Sequence, residues 1–595
     1  MNTQEKLSAL RALMQKNKID AYVIPMTDPH MSEYVAPHWK VINWFSGFTG
    51  SAANIVVTKD FAGLWTDSRY FIQAEDQLKN SGIELVKLKI PHTPEYIAWL
   101  NKNLDTDSVV GFDGKVFSVG IAQAMQTTFE RKNIQINAGF DFISEIWTDR
   151  PEIPAKEVFE HDIKYAGQSR IEKMNTVRKA MQERDIDYHL LSSLDDIAWL
   201  FNLRGSDISY NPLFISFALI SQSEAYLFVD DKKLPIELKQ ILKNDVVTVK
   251  PYDEIYSLLT ELEAGKSILS QLSKTNYSLY KSIPNTCPLI DDINNTTVLK
   301  SVKNSTEVAN IKETMVKDGV AMVKFLYWLE QTVGKEKITE VSAGEKLLTF
   351  RKEQEGFFGE SFGIISGYKG HAAMPHYSAT TESDVELKPE GIYLVDSGGQ
   401  YFGGTTDITR TVTLGKLTRE EKRDFTLALK GTIDLALVVF PHGTKGVQLD
   451  VIARKALWDN RMNYGHGTGH GVGFFLNVHE GPQTIGTSGT GNMATVLQPG
   501  MLTSDEPAFY REGKHGIRIE NLILTVEDEE NEFGKFLKFD TVTLCPIDTK
   551  PVDVNLLTKD ELTWLNNYHK EVYEKLSVHL DKEHKNWLKE KTKEV

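Results

Sequence analysis

Four acidic residues and one histidine in the C-terminal half place the strongest constraint on this fold. Most of them stand inside apolar, strand-like segments punctuated by glycine, where a charge cannot be solvated. A buried carboxylate must find a partner or lose its charge. Two divalent cations are the simplest partner for four such groups. The five residues are Asp396, Asp407, His470, Glu506 and Glu520.

The acids occur in two similar halves of this region. L-K-P-E-G-I-Y-L-V-D (387–396) parallels L-Q-P-G-M-L-T-S-D-E (497–506), each a Pro/Gly turn before a short strand that ends in an acid. A second strand with another acid follows each, at 405–413 and 516–524, and its β-branched content favours a strand. We therefore predict that each half supplies two carboxylates from adjacent strands and that folding brings the halves face to face.

The expected ligand set is four carboxylates and one imidazole. Hard, oxygen-rich sites suit Mn²⁺ or Mg²⁺, whereas structural zinc prefers cysteine and histidine. Without cations, two carboxylates about 4 Å apart repel each other by roughly 4 kcal/mol at an effective dielectric constant near 20. Two metal ions about 3.5–4 Å apart can polarise a carbonyl and activate water. The set is therefore suited to the hydrolysis of an amide bond.

A glycine-rich histidine segment, H-G-T-G-H-G-V-G (466–473), supports this interpretation. His466 and His470 are four residues apart, as in the zinc motif H-E-x-x-H, but the intervening glycines argue against a helix. The segment also lacks a register that fits G-x-G-x-x-G. His376 (M-P-H-Y) and His479 (N-V-H-E-G-P) lie in turn-prone segments and could donate hydrogen bonds to a substrate.

The bulk composition indicates a multidomain globular protein. Its 595 residues exceed the roughly 250–300 that one core usually serves. A net charge of −15 disfavours nucleic acid and anionic membranes as partners. Two cysteines, Cys287 and Cys545, form neither a disulfide framework nor a thiolate metal site. The chain begins without the apolar run of a signal peptide and contains no predicted membrane span, so we expect a soluble, cytoplasmic protein.

Two early segments resemble each other and indicate a duplication. Residues 11–24 and 178–191 each read as an amphipathic helix, a polar turn and a strand. Each is followed by a tryptophan-containing segment with Gly-Ser and an aromatic strand ending in aspartate. We predict two copies of one α/β domain, at 1–156 and 157–302, before a catalytic domain at 303–595 with a C-terminal helical extension from about 545.

The catalytic domain is expected to begin and end with helices. Asn304 or Ser305 offers an N-cap for a long amphipathic helix. The tail, 558–595, has a helical and highly charged pattern. From Asp581 onward we expect a solvated or frayed end.

At these residues the chain resembles the aminopeptidase P family, the soluble three-domain Xaa-Pro aminopeptidases of the creatinase/methionine-aminopeptidase ("pita-bread") superfamily. The most specific match is H-G-T-G-H-G-V-G-F-F-L-N-V-H-E-G-P (466–482), and 65–74 and 394–411 are also similar. The resemblance implies an α/β and α+β multidomain fold. Two similar creatinase-type N-terminal α/β domains would precede a pseudo-symmetric pita-bread catalytic domain.

The resemblance also implies roles for the metal ligands. Asp396 would bind one metal ion, Asp407 and Glu520 would bridge both, and His470 and Glu506 would bind the other. Glu506 would in addition carry a proton from the attacking water to the leaving amine.

Further residues acquire implied roles near the substrate. His376 and His479 would stabilise the tetrahedral intermediate, and His466 would line the substrate pocket. Tyr510 and Arg518 would hydrogen-bond a ligand carboxylate. Apart from the resemblance, Arg69 in the first domain could reach the substrate, although a salt bridge is the favoured role.

The implied activity is that of a metal-dependent aminopeptidase that releases the N-terminal residue from peptides with proline second. A water or hydroxide held by two divalent ions would attack the Xaa-Pro bond. Mn²⁺ is the implied metal, with Zn²⁺ or Co²⁺ as alternatives, and a homodimer is the implied assembly. Because the bond before proline is a tertiary amide without an N–H, a dedicated pocket for the ring is a natural requirement.

The sequence leaves two other functions open. Prolidase, which cleaves only Xaa-Pro dipeptides, shares the ligand set, but the duplicated N-terminal part exceeds what prolidase needs. A non-catalytic binding scaffold could retain the fold, although the intact ligands and acidic charge do not favour it.

Overall fold

The computed structural model describes residues 1–90, 93–487 and 495–595. The chain forms two compact units. One unit comprises Met1–Glu160 and Gln168–Thr296, and the other comprises His161–Gly167 and Thr297–Val595.

The first unit begins with a six-stranded sheet in the order β4-β3-β2-β1-β5-β6. Its three central strands, β3, β2 and β1, are antiparallel neighbours, and the outer strands join in parallel. The elements are α1 (Thr3–Lys16), β1 (Ala21–Pro25), α2 (Val41–Ser46), β2 (Asn54–Thr58), β3 (Ala62–Thr66), α3 (Phe71–Gln77), β4 (Glu84–Lys87), α4 (Glu95–Asn103), β5 (Val109–Gly111), α5 (Val119–Phe129), β6 (Gln135–Asn137) and α6 (Phe142–Ile146).

A second six-stranded sheet in this unit repeats the first, in the order β12-β11-β10-β8-β13-β14 and with the same parallel and antiparallel pairings. The elements that follow in the chain are β7 (Phe159–Glu160), α7 (Ile163–Ala166), α8 (Arg170–Gln182), β8 (Tyr188–Leu191), α9 (Leu194–Leu200), β9 (Leu203–Arg204), β10 (Ser216–Ser221), β11 (Ala225–Val229), α10 (Ile236–Asn244), β12 (Thr248–Lys250), α11 (Glu254–Thr260), β13 (Ile268–Leu269), α12 (Tyr277–Ser282), β14 (Leu289–Ile290) and α13 (Asn295–Ser301).

The predicted duplication is therefore confirmed. In both copies a helix leads directly into a central strand, α1 into β1 and α8 into β8. The apolar residues of α1 recur at helical spacing, and Leu7, Leu10 and Met14 are buried. Both helices also start with a capping box, which satisfies backbone N–H groups of the first turn.

The second unit contains long helices packed on antiparallel sheets, and the largest sheet among its described residues has six strands. Its elements after residue 302 are α14 (Ser305–Thr332), α15 (Glu340–Lys352), β15 (Phe357–Glu360), β16 (Ile365–Tyr368), β17 (Ile392–Ser397), β18 (Gly399–Tyr401), β19 (Gly404–Thr405), β20 (Ile408–Thr413), α16 (Arg419–Leu437), β21 (Val439–Pro441), α17 (Gly446–Asp459), β22 (Gly469–Gly471), β23 (Glu480–Ile485), β24 (Leu502–Asp505), β25 (Ala508–Arg511), β26 (His515–Arg518), β27 (Asn521–Asn531), β28 (Gly534–Thr541), α18 (Lys559–Leu576) and α19 (Lys582–Lys591).

Two strand pairs in this unit confirm the predicted pseudo-symmetry. Strands β17 and β20 are antiparallel, and Ser397 stands opposite Ile408 at the end of the pair. Strands β24 and β27 are also antiparallel, and Asp505 stands opposite Asn521 at the corresponding end. In each pair the chain therefore presents two acids at neighbouring strand ends, as the parallel sequence segments indicate.

The start of α14 settles the choice of its N-cap. Asn304 is the cap residue, and its side chain accepts a hydrogen bond from the backbone N–H of Glu307. The Glu307 carboxylate in turn accepts from the backbone N–H of Asn304, which completes a capping box. Ser305 is the first helical residue instead.

Of the two expectations for the end after Asp581, fraying is wrong, whereas most of the segment is solvent-exposed as expected. Asp581 caps α19, and Leu588 is fully buried in a core cluster with Val320 and Leu565. The partly buried Trp587 packs against the same cluster. One leucine and one tryptophan among many charged residues do not produce a visible amphipathic period, so the sequence pattern concealed this contact.

Among the described residues, no helix combines the length and hydrophobicity that crossing a bilayer requires.

Replacing Leu588 with alanine is expected to destabilise the C-terminal unit. Loss of a buried leucine leaves a cavity and costs about 2–5 kcal/mol of unfolding free energy, because the residue is 0% exposed. Differential scanning calorimetry measures the change. The exposed neighbour Lys589 provides the matched control, and Lys589→Ala should change stability by less than about 0.5 kcal/mol. Equal effects of the two substitutions would contradict a packed tail helix.

Candidate metal centre

The first carboxylate of the centre, Asp396, lies near the end of β17 and is buried. Its Oδ2 atom accepts a hydrogen bond from Nη2 of Arg518. Its Oδ1 atom is buried and has no hydrogen-bond partner among the described residues. A buried carboxylate oxygen without a partner is costly, so this atom is available to a cation.

Three donor groups converge beside it. One ligand atom each of Asp407, His470 and Glu520 lies within 4.8 Å of the other two. Nε2 of His470 is 3.5 Å from Oδ2 of Asp407. Asp407 immediately precedes β20 and Glu520 immediately precedes β27, so the pseudo-symmetric strand ends bring them together.

Glu506 completes the group from the position just after β24. Its Oε1 atom is 3.6 Å from Nε2 of His470 and accepts a hydrogen bond from the Ser504 hydroxyl at 3.3 Å. The side chain is 18% exposed, whereas that of Asp407 is 5% exposed. Glu506 is thus the more accessible of these two carboxylates.

Glycines allow the histidine segment to lie between two neighbouring strands. A Cβ atom on Gly469 would come within 1.9 Å of the Ser504 carbonyl oxygen, and one on Gly471 within 2.2 Å of the Glu480 carbonyl oxygen. Gly469–Gly471 of this pattern form strand β22, which confirms that the segment is not a helix. Its backbone approach places His470 beside the carboxylates.

The electrostatics of the centre follow from crowded, buried acids. Burial and the charge of Asp407 raise the pKa of Glu520 well above its ordinary value. Burial also raises the pKa of Glu506 to about 7, although His470 and Arg518 oppose the shift. For Asp396, burial raises the pKa in spite of the neighbouring Arg518 guanidinium. Burial therefore disfavours the ionised form of each of these carboxylates, and additional positive charge would favour it.

His470 shows the complementary effect. Burial alone would lower its pKa, but the hydrogen bond to Asp407 and the charge of Glu506 outweigh burial and raise the pKa to about 9. Nδ1 of the ring is 3.0 Å from the Gly471 carbonyl oxygen, to which it can only donate. In the neutral ring, Nε2 therefore carries the lone pair that faces the carboxylates.

These residues fit a pair of divalent cations. They offer four carboxylates and one imidazole nitrogen, a donor set that suits Mn²⁺ and similar ions. The unpartnered Oδ1 of Asp396 and the raised carboxylate pKa values indicate a cluster that lacks cationic charge. Two divalent cations would balance the four negative charges.

Arg518 connects the two halves of the centre. Besides Asp396 it contacts the Thr409 hydroxyl, to which Nε donates at 3.0 Å. Thr409 donates to Oε2 of Glu520 at 2.7 Å. Nη1 of Arg518 donates to the Tyr510 hydroxyl at 2.5 Å. The sequence interpretation did not include Thr409, although its position two residues after Asp407, at strand periodicity, could have indicated it.

Two of the predicted substrate histidines, His466 and His479, lie beside metal-ligand candidates. His466 Nε2 is 2.8 Å from the Tyr510 hydroxyl, and its Nδ1 is 3.9 Å from Oε2 of Glu506. The ring of His479 meets that of His470 edge-on, with 4.4 Å between centroids. Both rings are therefore next to a metal-ligand candidate.

His376 lies in a turn that is packed against the hairpin β25–β26. It is half-buried in the turn after the 3-10 helix Lys369–Ala373. That helix packs tightly on β26, because a Cβ atom on Gly516 would come within 1.7 Å of the Ala372 carbonyl oxygen. The turn is thereby fixed to the hairpin β25–β26, which carries Tyr510 and Arg518.

Arg69 belongs to the other compact unit. Its guanidinium forms a two-pronged ion pair with Asp67, with Nε–Oδ1 and Nη2–Oδ2 distances of 2.8 and 2.7 Å. Such paired geometry holds the side chain in one orientation.

Family models account for nearly the whole chain. The creatinase/prolidase N-terminal domain matches twice, at residues 6–139 and 149–307. Metallopeptidase family M24 matches residues 309–527, and the C-terminal region of peptidase M24 matches 535–595. The duplicated N-terminal domain and the catalytic domain of the expected fold class are therefore confirmed.

Two known relatives match this chain over nearly all of its length. Aminopeptidase P2 of Arabidopsis thaliana is 40% identical over 97% of this chain and 86% of its own length. The crystal structure of an X-prolyl aminopeptidase from Caenorhabditis elegans superposes with a TM-score of 0.95 and 34% identity over all of both chains. The chain belongs to the aminopeptidase P family.

The fold of this aminopeptidase P family member also resembles that of a dipeptidase. The Xaa-Pro dipeptidase of Bacillus anthracis is 23% identical, with a TM-score of 0.51 over 64% of this chain and 99% of its own. The nematode relative is described as a cytosolic enzyme with a di-nuclear active site.

Removal of divalent cations is expected to make the stability of this aminopeptidase P family member depend on pH. A carboxyl whose folded pKa is raised contributes stability below its unfolded pKa and loses that contribution as pH rises. For Glu506 this loss spans the interval from 4.5 to about 7. For His470, stability present below 6.5 is lost as pH rises through about 9. Both changes weaken the metal-free protein as pH rises.

We therefore expect the thermal midpoint of chelated protein to fall by at least about 4 °C between pH 5.5 and 8, relative to Mn²⁺-loaded protein. Differential scanning fluorimetry at matched ionic strength measures both curves. Glu506→Gln should flatten the curve of the chelated protein. Parallel curves with and without metal would contradict this electrostatic description.

Proposed function

We propose that this chain is a two-metal Xaa-Pro aminopeptidase, which releases the N-terminal residue from peptides that have proline in the second position. The observation that carries the proposal is the convergence of Asp407, His470 and Glu520 within 4.8 Å. It occurs in a chain that matches an X-prolyl aminopeptidase over its full length.

The proposed metal ligands include the four acids that lie at or beside the ends of β17, β20, β24 and β27. Asp396, Asp407, Glu520, His470 and Glu506 would hold the ions. When bound, two such ions would polarise the scissile carbonyl and lower the pKa of water. Asp407 and Glu520, the two acids that immediately precede β20 and β27, are the proposed bridging ligands because they lie within one cluster with His470.

Glu506 is the proposed proton carrier. It is the more exposed of the carboxylates around His470, and its pKa of about 7 without metal is close to the range that suits general acid–base work. Its carboxylate would accept a proton from the attacking water and deliver it to the proline nitrogen. That nitrogen must be protonated to leave, because a deprotonated amine is a very poor leaving group.

The remaining polar side chains are proposed to stabilise negative charge on the substrate carbonyl oxygen, to line the substrate pocket and to orient the ligand carboxylates. His376 and His479 would donate hydrogen bonds to the carbonyl oxygen as negative charge develops on it. His466 would line the substrate pocket, where its ring is held by the Tyr510 hydroxyl. Arg518 would orient Asp396 directly and Glu520 through Thr409.

A dipeptidase function is the alternative. The dipeptidase relative matches 64% of the chain, whereas the nematode aminopeptidase matches all of it. This difference in extent favours an aminopeptidase. For Arg69 we propose the ion pair with Asp67 as its main role, since two guanidinium nitrogens are already engaged there.

The proposal also covers the bound metal ion, the oligomeric state, the cellular location and the domain boundaries. We propose Mn²⁺ as the bound ion, a cytoplasmic location, and domains at 1–156, 157–302 and 303–595.

We also propose a homodimer. Two exposed apolar side chains on α17, Val451 and Trp458, support it: they are 46% and 44% exposed. They are seven residues apart and therefore share one face of the helix. Light scattering of the purified chain tests the assembly.

Assays on matched peptides test the activity. Protein reloaded with Mn²⁺ after chelation is expected to cleave an Xaa-Pro-Xaa tripeptide at the first bond, and to be inactive on the same peptide with alanine in place of proline. Zn²⁺ and Co²⁺ reloading gives the metal preference. Cleavage of Xaa-Pro dipeptides alone would support the dipeptidase. A chain that binds no metal and gains no activity with Mn²⁺ would support a scaffold.

Glu506→Gln is expected to lower kcat by about 10²–10⁴-fold, because the amide cannot carry a proton. It should still bind metal, which inductively coupled plasma mass spectrometry measures. Asp407→Ala should lose both activity and metal, because it removes a proposed bridging ligand. Near-normal turnover in Glu506→Gln would refute the proton-carrier role.

A further inference from the structure

A buried ion pair lies beneath the segment that carries His466 and His470. Asp450 and Arg454 are one turn apart on α17, and Nε of Arg454 is 2.7 Å from Oδ2 of Asp450. Both residues are at most 2% exposed. Placing charges in so dry an environment is costly unless their remaining hydrogen-bonding groups are satisfied.

The guanidinium of Arg454 directs its other N–H groups to residues 463–466, which lead into the histidine segment, and Nη1 donates to the Asn463 side-chain oxygen at 3.1 Å. Nη1 donates to the Tyr464 carbonyl oxygen at 2.8 Å, and Nη2 donates to the His466 carbonyl oxygen at 2.6 Å. The same guanidinium stacks on the Tyr464 ring, 3.8 Å from its centroid. Arg454 thus fixes the backbone on both sides of residue 465.

Asp450 holds the next part of the segment. Its Oδ1 atom accepts a hydrogen bond from the Thr468 hydroxyl at 2.6 Å. Since that hydroxyl has one proton, the Tyr464 hydroxyl must be the donor in its short contact with the Thr468 oxygen. The ion pair, Tyr464 and Thr468 therefore form one closed hydrogen-bond network.

Thr468 connects this network to the metal centre. Its carbonyl oxygen accepts a hydrogen bond from the backbone N–H of Glu506 at 2.8 Å, and its own N–H donates to the Ile485 carbonyl oxygen. Two residues further on, the His470 N–H donates to the Ser504 hydroxyl. A displacement of Thr468 would therefore be transmitted to Glu506 and His470.

We propose that Asp450, Arg454 and Thr468 are positioning residues that fix Glu506 and His466 relative to the substrate. None of the three side chains contacts a carboxylate of the metal centre in the hydrogen bonds described above. A segment with three glycines in six residues has little conformational restraint of its own. The network supplies that restraint from the helix behind it. The expected changes in kcat rest on the proposed aminopeptidase function. The expected changes in the mobility of the backbone do not.

Thr468→Val tests the network with a nearly isosteric change. We expect kcat on an Xaa-Pro-Xaa tripeptide to fall about tenfold, because small misplacement of a proton carrier is costly, with KM changed by less than about twofold. Thr468→Ser retains the hydroxyl and should restore kcat to within about twofold of the wild type. Bound metal should be unchanged in both variants.

A matched control is available in β27. Thr525 is fully buried, and its hydroxyl has no hydrogen-bond partner among the described residues. Thr525→Val makes the same chemical change without breaking a described hydrogen bond, and should leave kcat within about twofold of the wild type. If Thr468→Val does not fold, Tyr464→Phe removes the adjacent hydroxyl and should lower kcat in the same direction.

Hydrogen–deuterium exchange gives a readout that does not depend on catalysis. Thr468→Val should accelerate exchange in peptides covering 464–471 and at the Glu506 amide, while peptides covering β17 remain protected. Faster exchange throughout the unit, equal kcat in Thr468→Val and Thr525→Val, or no rescue by serine would overturn the proposal. If the wild type does not cleave Xaa-Pro peptides, the proposed function fails, and the exchange pattern alone decides the positioning role.

Discussion

Repulsion between buried carboxylates is the constraint on which this catalytic unit depends. At about 4 Å, two like charges repel by roughly 4 kcal/mol even at an effective dielectric constant near 20, and four acids surround His470 and Arg518. Among the described hydrogen bonds and ion pairs, Arg518 bonds directly to Asp396, and Nε2 of His470 lies 3.5 Å from Asp407 and 3.6 Å from Glu506. The pKa values of Asp396 and Glu520 are nevertheless raised, so these two side chains do not offset burial and the mutual repulsion of the acids. The centre is therefore built for additional cations, and the surrounding fold must hold it together until they bind.

The fold meets this requirement twice, once in each pseudo-symmetric half. In each half, an antiparallel strand pair presents two acids, and a buried arginine–aspartate pair lies behind the strands. Arg351 pairs with Asp318 at 2.8 Å and donates to the Ser397 carbonyl oxygen, next to Asp396. The Asp450–Arg454 pair holds the histidine segment in the other half. Burying a charge pair stabilises a fold only weakly, so the recurrence of this arrangement behind ligand-bearing segments favours a role in fixing their geometry.

The sequence predicted what is encoded by local periodicity. Strand ends with acids, the duplicated helix–strand units and the cap near Asn304 each leave a pattern within about ten residues. It did not predict contacts between distant segments, such as the link from Arg518 through Thr409 to Glu520. Nor did it predict the packing of Leu588, since one leucine in a charged helix carries no periodic signal. Four of the five proposed ligands are carboxylates, and the family resemblance singled out the set, whereas the residues that orient them are of mixed types and lie far apart in the sequence.

The two carboxylates beside His470, Asp407 and Glu506, differ in exposure in the way that their proposed roles require. The side chain of Asp407 is 5% exposed, and those of Glu506 and His470 are 18% and 20% exposed. A bridging ligand gains from exclusion of water, because a low local dielectric strengthens its bond to cations. A proton carrier must instead be reached by water and by the leaving nitrogen. Since Glu506 is attached through its own backbone N–H to Thr468, its carboxylate can face the solvent while its backbone remains fixed. Accessibility and precise placement are thereby combined in one residue.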